Sequence, residues 1–221
     1  MSDSSTFTPS ALSGLSPSDT LAALLRTIEF EIIPLTRVGV SSGSKVFGAA
    51  ILSTDTTPYT VATNDERVSP LLHGEINCIQ KFYTTFPEAS TRPDPRKDCI
   101  FLATHEPCSL CLSGIAWSGF KEVFFLFTHE DSRDRFAIPY DLEILEHVFR
   151  VGHSDSTQPL YNKKNKFFTA RSLDEYADRI SDEKSRRYWK EEISRVKVLY
   201  DELSETYQEG KKTVESASTW K

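Results

Sequence analysis

The sequence predicts an α/β fold in which helices cover both faces of a mixed sheet, followed by a C-terminal helical extension. Two observations carry this prediction. Between residues 45 and 150, apolar runs of strand length alternate with amphipathic helical patterns. Beyond residue 152 the chain becomes polar and charged, and apolar residues recur at helical spacing over 172–207.

Each element is predicted from its period and its bounding residues. A helix is expected at 16–33, because Ser16 can cap it and Pro34 closes it. After a turn at 41–45, two apolar runs read as the strands of a hairpin. The two strands of the hairpin are predicted at 45–52 and 58–64. The later predicted elements are helix 73–86, strand 99–104, helix 108–119, strand 122–128, helix 141–150 and one or two helices over 172–207.

Composition argues against several classes of protein. A net charge of −6 weakens any proposal that a nucleic-acid backbone is the main ligand. The longest apolar run, VFFLFT at 123–128, is too short to cross a bilayer, and the first ten residues lack the pattern of a secretory signal. Four cysteines without such a signal indicate reduced thiols. We therefore expect a cytoplasmic or nuclear protein without a membrane partner.

Two short motifs are candidates for chemistry: HGE at 73–75 and PCSLC at 107–111. Each alone has an ordinary explanation, since a histidine can cap a helix and C-x-x-C can be a redox pair or half of a structural zinc site. Together they offer one imidazole and two thiolates, which is the ligand count of a catalytic zinc site that keeps one position for water. Both motifs open helices, whose positive ends favour thiolates.

Glu75 lies in the first turn of the helix that His73 opens, where it can reach a water molecule activated by the metal. A carboxylate there can take a proton from that water and later give it up, so one group can act first as a base and then as an acid.

The pattern H-x-E followed by P-C-x-x-C is the signature of the zinc deaminases. Over about residues 20–150 the chain resembles the cytidine deaminase-like superfamily. SPLLHGEI at 69–76 resembles a helix start shared by cytosine, guanine and tRNA adenosine deaminases. The segment 106–125 is most like guanine deaminase, and HEDSRDRFAIPYD at 129–141 resembles the segment after the fourth strand in guanine and tRNA adenosine deaminases.

The resemblance implies a three-layer α/β/α cytidine deaminase-like fold with a mixed central sheet. It implies that Zn²⁺ is the cofactor, that His73, Cys108 and Cys111 bind it, and that Glu75 is the proton shuttle. The implied division is a flexible tail over 1–15, a zinc deaminase domain over 16–152, a mostly helical extension over 153–210 and a flexible tail over 211–221. A homodimer is expected by the same resemblance.

Three residues are candidates for substrate binding by resemblance: Asn64 at a strand end, Asp131 after the fourth strand, and Trp117. Ordinary explanations stand beside these roles. Asn64 can be a turn residue, and Trp117 can be a core residue. Asp131 can be a surface charge, and its neighbours Glu130 and Asp134 are alternative matches to the aspartate of guanine deaminases.

The leading hypothesis is a zinc-dependent hydrolytic deaminase that acts on a free nucleobase or nucleoside with a guanine- or cytosine-like amino group, as in purine or pyrimidine salvage. A tRNA adenosine deaminase, or a subunit of one, is the enzymatic alternative, because the C-terminal region carries basic residues. The non-enzymatic alternative is a deaminase-like binding module with structural zinc. The presence of Glu75 favours an enzyme.

Overall fold

The structure, a computed structural model, describes residues 14–149, 160–211 and 213–214. Within these residues five strands form one mixed sheet: β1 (Gly48–Ser53), β2 (Pro58–Thr63), β3 (Cys99–His105), β4 (Glu122–Phe127) and β5 (Thr169–Ser172). Their order is β2-β1-β3-β4-β5. Strand β1 runs antiparallel to β2 and β3, whereas β3, β4 and β5 are parallel.

The helices connect the strands and flank the sheet. They are α1 (Pro17–Thr27), α2 (Ile33–Ser41), α3 (Gly74–Thr85), α4 (Ser109–Ser118), α5 (His129–Phe136), α6 (Tyr140–His147), α7 (Leu173–Ala177) and α8 (Glu183–Gly210). Among the described residues, no helix combines the length and the apolarity that crossing a bilayer requires.

Strand residues alternate between two hydrophobic cores, as the two-residue period of a strand dictates. Leu102 and Phe124 pack in the core that contains residues of α1, α2, α7 and α8. Phe101 and Phe125 pack in the opposite core with residues of α3 and α4. The sheet is therefore the middle of three layers, and the predicted α/β/α fold with its C-terminal helix is confirmed.

The prediction that Pro34 closes the first helix is wrong. A π-helical turn at Ile28–Ile32 follows α1, and the chain continues helically through Pro34 to Ser41. The Ile33 N–H bonds the Ile28 carbonyl, so the register of the hydrogen bonds shifts just before the proline. Pro34 then lies in the first turn of α2, where a missing N–H is tolerated.

Besides α2, two more elements were not predicted from the sequence, α5 and β5. Helix α5 begins with a capping box in which the Thr128 and Asp131 side chains each accept a hydrogen bond from the other residue's backbone N–H. Strand β5 has only four residues in a polar segment, and it forms by pairing with β4. The predicted domain boundaries stay predictions, and residues 1–13, 212 and 215–221 of the expected tails lie outside the described residues.

Candidate metal centre and active site

The two motifs lie at the starts of neighbouring helices. His73 is the N-cap residue of α3 and Cys108 is the N-cap residue of α4, and both have extended backbone angles. Neither side chain makes a capping hydrogen bond, so both are available to bind a metal. Because α3 and α4 cover the same face of the sheet, their first turns bring the two motifs together.

The start of α3 lies close against β1. A Cβ atom on Gly74 would lie 2.8 Å from the Gly48 Cα and 2.9 Å from the Phe47 carbonyl oxygen. The Gly74 N–H donates to the Asn64 side-chain oxygen at 2.6 Å. Glycine and this hydrogen bond together fix the backbone between His73 and Glu75.

Three donor atoms converge in a geometry that fits zinc. The Nδ1 atom of His73 lies 3.5 Å from the Cys108 Sγ and 3.7 Å from the Cys111 Sγ, and the three ligand atoms lie within 4.8 Å of one another. Zinc bonds of about 2.3 Å to sulfur and about 2.0 Å to nitrogen, at tetrahedral angles, separate the two donors by about 3.5 Å. No fourth histidine, cysteine or carboxylate joins this group within the described part of the chain.

The electrostatics of the two N-cap residues favour a thiolate. Burial lowers the pKa of His73, but the hydrogen bond with Cys108 and the nearby negative charges outweigh this and raise it to about 9. The hydrogen bond with Cys111 is the main cause that lowers the pKa of the Cys108 thiol. Burial opposes this effect, and the hydrogen bond with His73 adds to it. Burial raises the pKa of Cys111. Thiolate sulfur is the form that binds zinc.

Glu75 is buried beside these donors. Burial, and then the charge of Cys108, raise the pKa of its carboxyl group to about 7. Its side chain hydrogen-bonds that of Cys111. A carboxyl group with a pKa near neutral can both accept and donate a proton at physiological pH, which is the property of a general acid–base group.

A cavity of about 400 Å³ opens onto the metal-binding residues. His73 and Cys108 lie in its wall together with apolar side chains, among them Phe47 and Ile138. Asp141, in the first turn of α6, is a buried carboxylate of this wall. Its side chain has no hydrogen bond or ion pair among the described residues, and burial raises its pKa to about 7. A buried acceptor without a partner on a cavity wall is typical of a ligand contact.

The same cavity wall contains a buried ion pair. The Lys45 Nζ lies 2.6 Å from the Glu66 Oε1, and these side chains are 9% and 2% exposed. The Glu66 Oε2 also accepts a hydrogen bond from the Lys45 backbone N–H at 2.9 Å. Twenty-one positions separate the two residues, and no local pattern in the sequence indicates that they pair.

The predicted substrate-binding residues lie at three different places. Asn64 is buried under the start of α3, and its Nδ2 has no hydrogen-bond partner among the described residues. Asp131 caps α5 and lies 3.6 Å from Lys197. Trp117 is 92% exposed on α4, so the core role considered for it is wrong. None of the three is among the described residues that line the cavity.

Sequence reasoning missed Asp141 and the Lys45–Glu66 pair. Asp141 follows Pro139 and Tyr140 at a helix start, where an acidic residue ordinarily complements the helix dipole. The signal that could have identified it is its place in the segment that resembles guanine and tRNA adenosine deaminases.

Comparisons with known proteins give one family match. Residues 36–127 match the model of the cytidine and deoxycytidylate deaminase zinc-binding region. No curated protein matches the chain.

Among solved structures, guanine deaminase from Bacillus subtilis is 24% identical, with 66% of this chain and 86% of that chain covered and a TM-score of 0.47. Guanine deaminase from Nitrosomonas europaea is 16% identical, with 81% and 85% covered and a TM-score of 0.43. A tRNA:A34 deaminase of A-to-I editing is 18% identical, with 44% and 70% covered and a TM-score of 0.35.

The matched family region contains Glu75 and the three residues whose donor atoms converge. Zinc is the cofactor that this family region binds, and His73, Cys108 and Cys111 fit it. Over residues 36–127, the chain is similar to the cytidine and deoxycytidylate deaminase family.

Proposed function

We propose that the protein is a zinc-dependent hydrolytic deaminase that acts on a free nucleobase or nucleoside and releases ammonia. The observation that carries this proposal is the position of Glu75, a buried carboxylate in contact with Cys111 and in the first turn of the helix that His73 opens. A structural zinc site normally has four protein ligands, whereas three ligands with a buried carboxylate beside them are typical of a catalytic site.

The reaction replaces an amino group with an oxygen atom. When bound, zinc supplies a water molecule that is acidic enough to attack near neutral pH. Glu75 accepts a proton from the attacking water and delivers it to the ring nitrogen beside the reacting carbon. It then carries the second proton of the water to the amino group. The carbon–nitrogen bond breaks, ammonia leaves, and a carbonyl group and a ring N–H remain.

The cavity supports a planar heterocyclic substrate. Apolar side chains such as Phe47 and Ile138 offer flat contacts, and Asp141 offers an acceptor to a ring N–H or an exocyclic amino group. The Nδ2 of Asn64 has no hydrogen-bond partner among the described residues, but Asn64 does not line the cavity, so its role as a donor to the substrate stays a prediction. Substrate-binding roles for Asp131 and Trp117 stay predictions.

The charges of the cavity favour a substrate without phosphate. Among the described residues, Lys45 is the only lysine or arginine in the cavity wall, and it is engaged by Glu66. Asp141 adds a carboxylate to the same wall. A phosphate group in this cavity would face carboxylates without a free cation to neutralise it, which supports a base or nucleoside over a nucleotide.

The alternative of tRNA deamination receives less support from the surface. Two basic residues of α8 face acidic partners: Lys190 lies 2.6 Å from Asp178, and Arg187 lies 3.7 Å from Glu191. Such pairs are typical of a solvated helix face rather than of a phosphate-binding patch. A homodimer and a cytoplasmic location remain part of this proposal, and light scattering of the purified protein tests the first.

Ammonia release by the zinc-loaded full chain tests the proposal. The panel contains cytosine, guanine, their nucleosides, deoxycytidine monophosphate, adenine and tRNA. We expect turnover of at least one base or nucleoside, and we expect Glu75→Gln to abolish it while zinc stays bound. Turnover of tRNA alone would favour the alternative. Zinc-loaded protein that releases no ammonia from any compound would contradict the proposed function.

A further inference from the structure

Glu106 is the residue that precedes Pro107 and Cys108, and its carboxylate is buried, with the side chain 4% exposed. Its Oε1 accepts a hydrogen bond from the Tyr161 hydroxyl at 2.8 Å and lies 3.2 Å from the Lys163 Nζ. Its Oε2 accepts a hydrogen bond from the His129 backbone N–H at 3.2 Å. The carboxylate therefore has partners from two other parts of the chain.

A buried carboxylate without such partners would be strongly destabilising, so these contacts fix its place. The backbone around it is fixed as well, because the Glu106 N–H donates to the Phe127 carbonyl at 2.7 Å. The His129 ring lies against the next peptide, with its Nε2 at 3.3 Å from the Pro107 carbonyl oxygen. The short turn that presents Cys108 is thus held on both sides.

The C-terminal segment that provides Tyr161 and Lys163 is itself anchored to the sheet. The Ala170 N–H in β5 donates to the Lys163 carbonyl at 2.8 Å. The Lys163 Nζ lies 4.9 Å from the centre of the Phe125 ring and 3.7 Å from a Glu175 carboxylate oxygen. Burial, and then the charge of Glu106, raise the pKa of Tyr161, so its hydroxyl stays a donor at physiological pH.

We propose that Tyr161 and Lys163 are positioning residues for the zinc ligand Cys108, acting through the buried carboxylate of Glu106. The C-terminal segment then determines how tightly the chain holds zinc. This inference goes beyond the proposed function, because it holds for a zinc site whether or not the protein deaminates a substrate.

The physical reason is the short connection between carboxylate and ligand. Only Pro107 separates Glu106 from Cys108. If the Glu106 carboxylate loses its partners and moves toward solvent, the backbone of the turn that presents Cys108 therefore shifts with it. The sulfur then leaves the position that matches the other two donors. Residues that orient metal ligands without binding the metal typically contribute about 10- to 100-fold to metal affinity.

Zinc affinity of the full chain, measured by competition with a chromophoric chelator, tests the inference. The test variants are Tyr161→Phe, Lys163→Met and the double variant. Tyr83→Phe is the matched control for the tyrosine, because Tyr83 also donates a hydroxyl hydrogen bond and packs at the edge of the same core. Lys164→Met is the control for the lysine, because Lys164 is exposed beside Lys163.

We expect the double variant to bind zinc about 10-fold more weakly than the wild type, with each single variant between the two. The controls should keep wild-type affinity. The absorption of the cobalt-substituted protein gives a second readout, because its sulfur-to-metal band reports the Cys108 geometry. That band should change in the test variants and not in the controls.

Equal zinc affinity in test and control variants would overturn the inference, whether all keep the wild-type value or all lose it to the same degree. An unchanged cobalt spectrum in the double variant would also overturn it. Neither result would bear on the proposed function, which depends on ammonia release and on Glu75.

Discussion

The Nδ1 atom of His73 lies 3.5 Å from the Sγ atom of Cys108, although 35 positions separate the two residues in the chain. The relationship arises because each residue opens a helix on the same face of the sheet. Cys111, one turn into α4, brings the second sulfur to 3.7 Å from the same nitrogen. The fold thus brings three candidate zinc ligands together from two short motifs.

Substitution of a zinc ligand should remove the metal. We expect Cys108→Ser to lose bound zinc, because the remaining imidazole and single thiolate form too small a ligand set. The matched control is Cys78→Ser, since Cys78 is buried on the same side of the sheet but lies against Thr60. Zinc content of the purified variants, measured by atomic emission, should be low for Cys108→Ser and unchanged for the control.

The buried pair of Lys45 and Glu66 should matter for stability. Removal of one partner leaves an uncompensated buried charge, so we expect Lys45→Met and Glu66→Gln each to lower the free energy of unfolding by about 3–5 kcal/mol. The double variant should lose less than the sum of the two. Denaturant unfolding of the four proteins measures this coupling.

The exposed pair of Arg37 and Glu202 is the control for that cycle. These side chains are 54% and 68% exposed, although their atoms approach to 3.2 Å. A pair so accessible to water contributes at most about 1 kcal/mol. Equal coupling energies for the exposed and the buried pair would show that burial of Lys45 and Glu66 has no special consequence.

Asp141 should make stability depend on pH. Burial, and then the charge of Cys108, raise its pKa from the ordinary 3.8 to about 7. Between these values the folded chain holds a proton that the unfolded chain has released, so the contribution of Asp141 to stability falls as pH rises through this range. Above it the contribution is constant.

Asp141→Asn removes this dependence. We expect the variant to gain stability relative to the wild type as pH rises from about 4.5 to about 8, when both are unfolded by denaturant with the metal removed by chelation. A difference between the two proteins that stays constant with pH would contradict the assigned burial of a titrating carboxyl group.

Asp141 should also affect substrate binding. If its carboxylate accepts a hydrogen bond from the base, Asp141→Ala removes that contact and raises KM by about 10-fold or more, since a hydrogen bond to a charged acceptor contributes about 1.5–3 kcal/mol. Zinc content should remain at the wild-type value. Steady-state kinetics on the preferred substrate measures the change, and an unaltered KM would exclude the contact.

Much of the fold and the metal centre could be predicted from the sequence, because both depend on local patterns. The periods of the apolar residues predict the strands and helices, and two motifs at helix starts predict the candidate ligands. The error at Pro34 has a local cause as well. A π-helical turn shifts the hydrogen bonds before the proline, and no pattern in the sequence signals such a turn.

The substrate side could not be predicted in this way, because it depends on contacts between distant residues. Lys45 and Glu66 meet only when the chain folds, and Asp141 looks like an ordinary acidic residue at a helix start until its burial is known. The substrate-binding role of Asp131 was predicted from a resemblance. Its local pattern with Thr128 also allows a helix cap, and in the structure Asp131 forms one.

The ligand set of the zinc-loaded protein tests the central claim most directly. X-ray absorption at the zinc edge resolves sulfur from nitrogen or oxygen neighbours and identifies imidazole. We predict two sulfur neighbours at about 2.3 Å, one imidazole nitrogen at about 2.0 Å and one light neighbour from solvent. A third sulfur, a second imidazole or a spectrum without sulfur would contradict a site built from His73, Cys108 and Cys111 with one position left for chemistry.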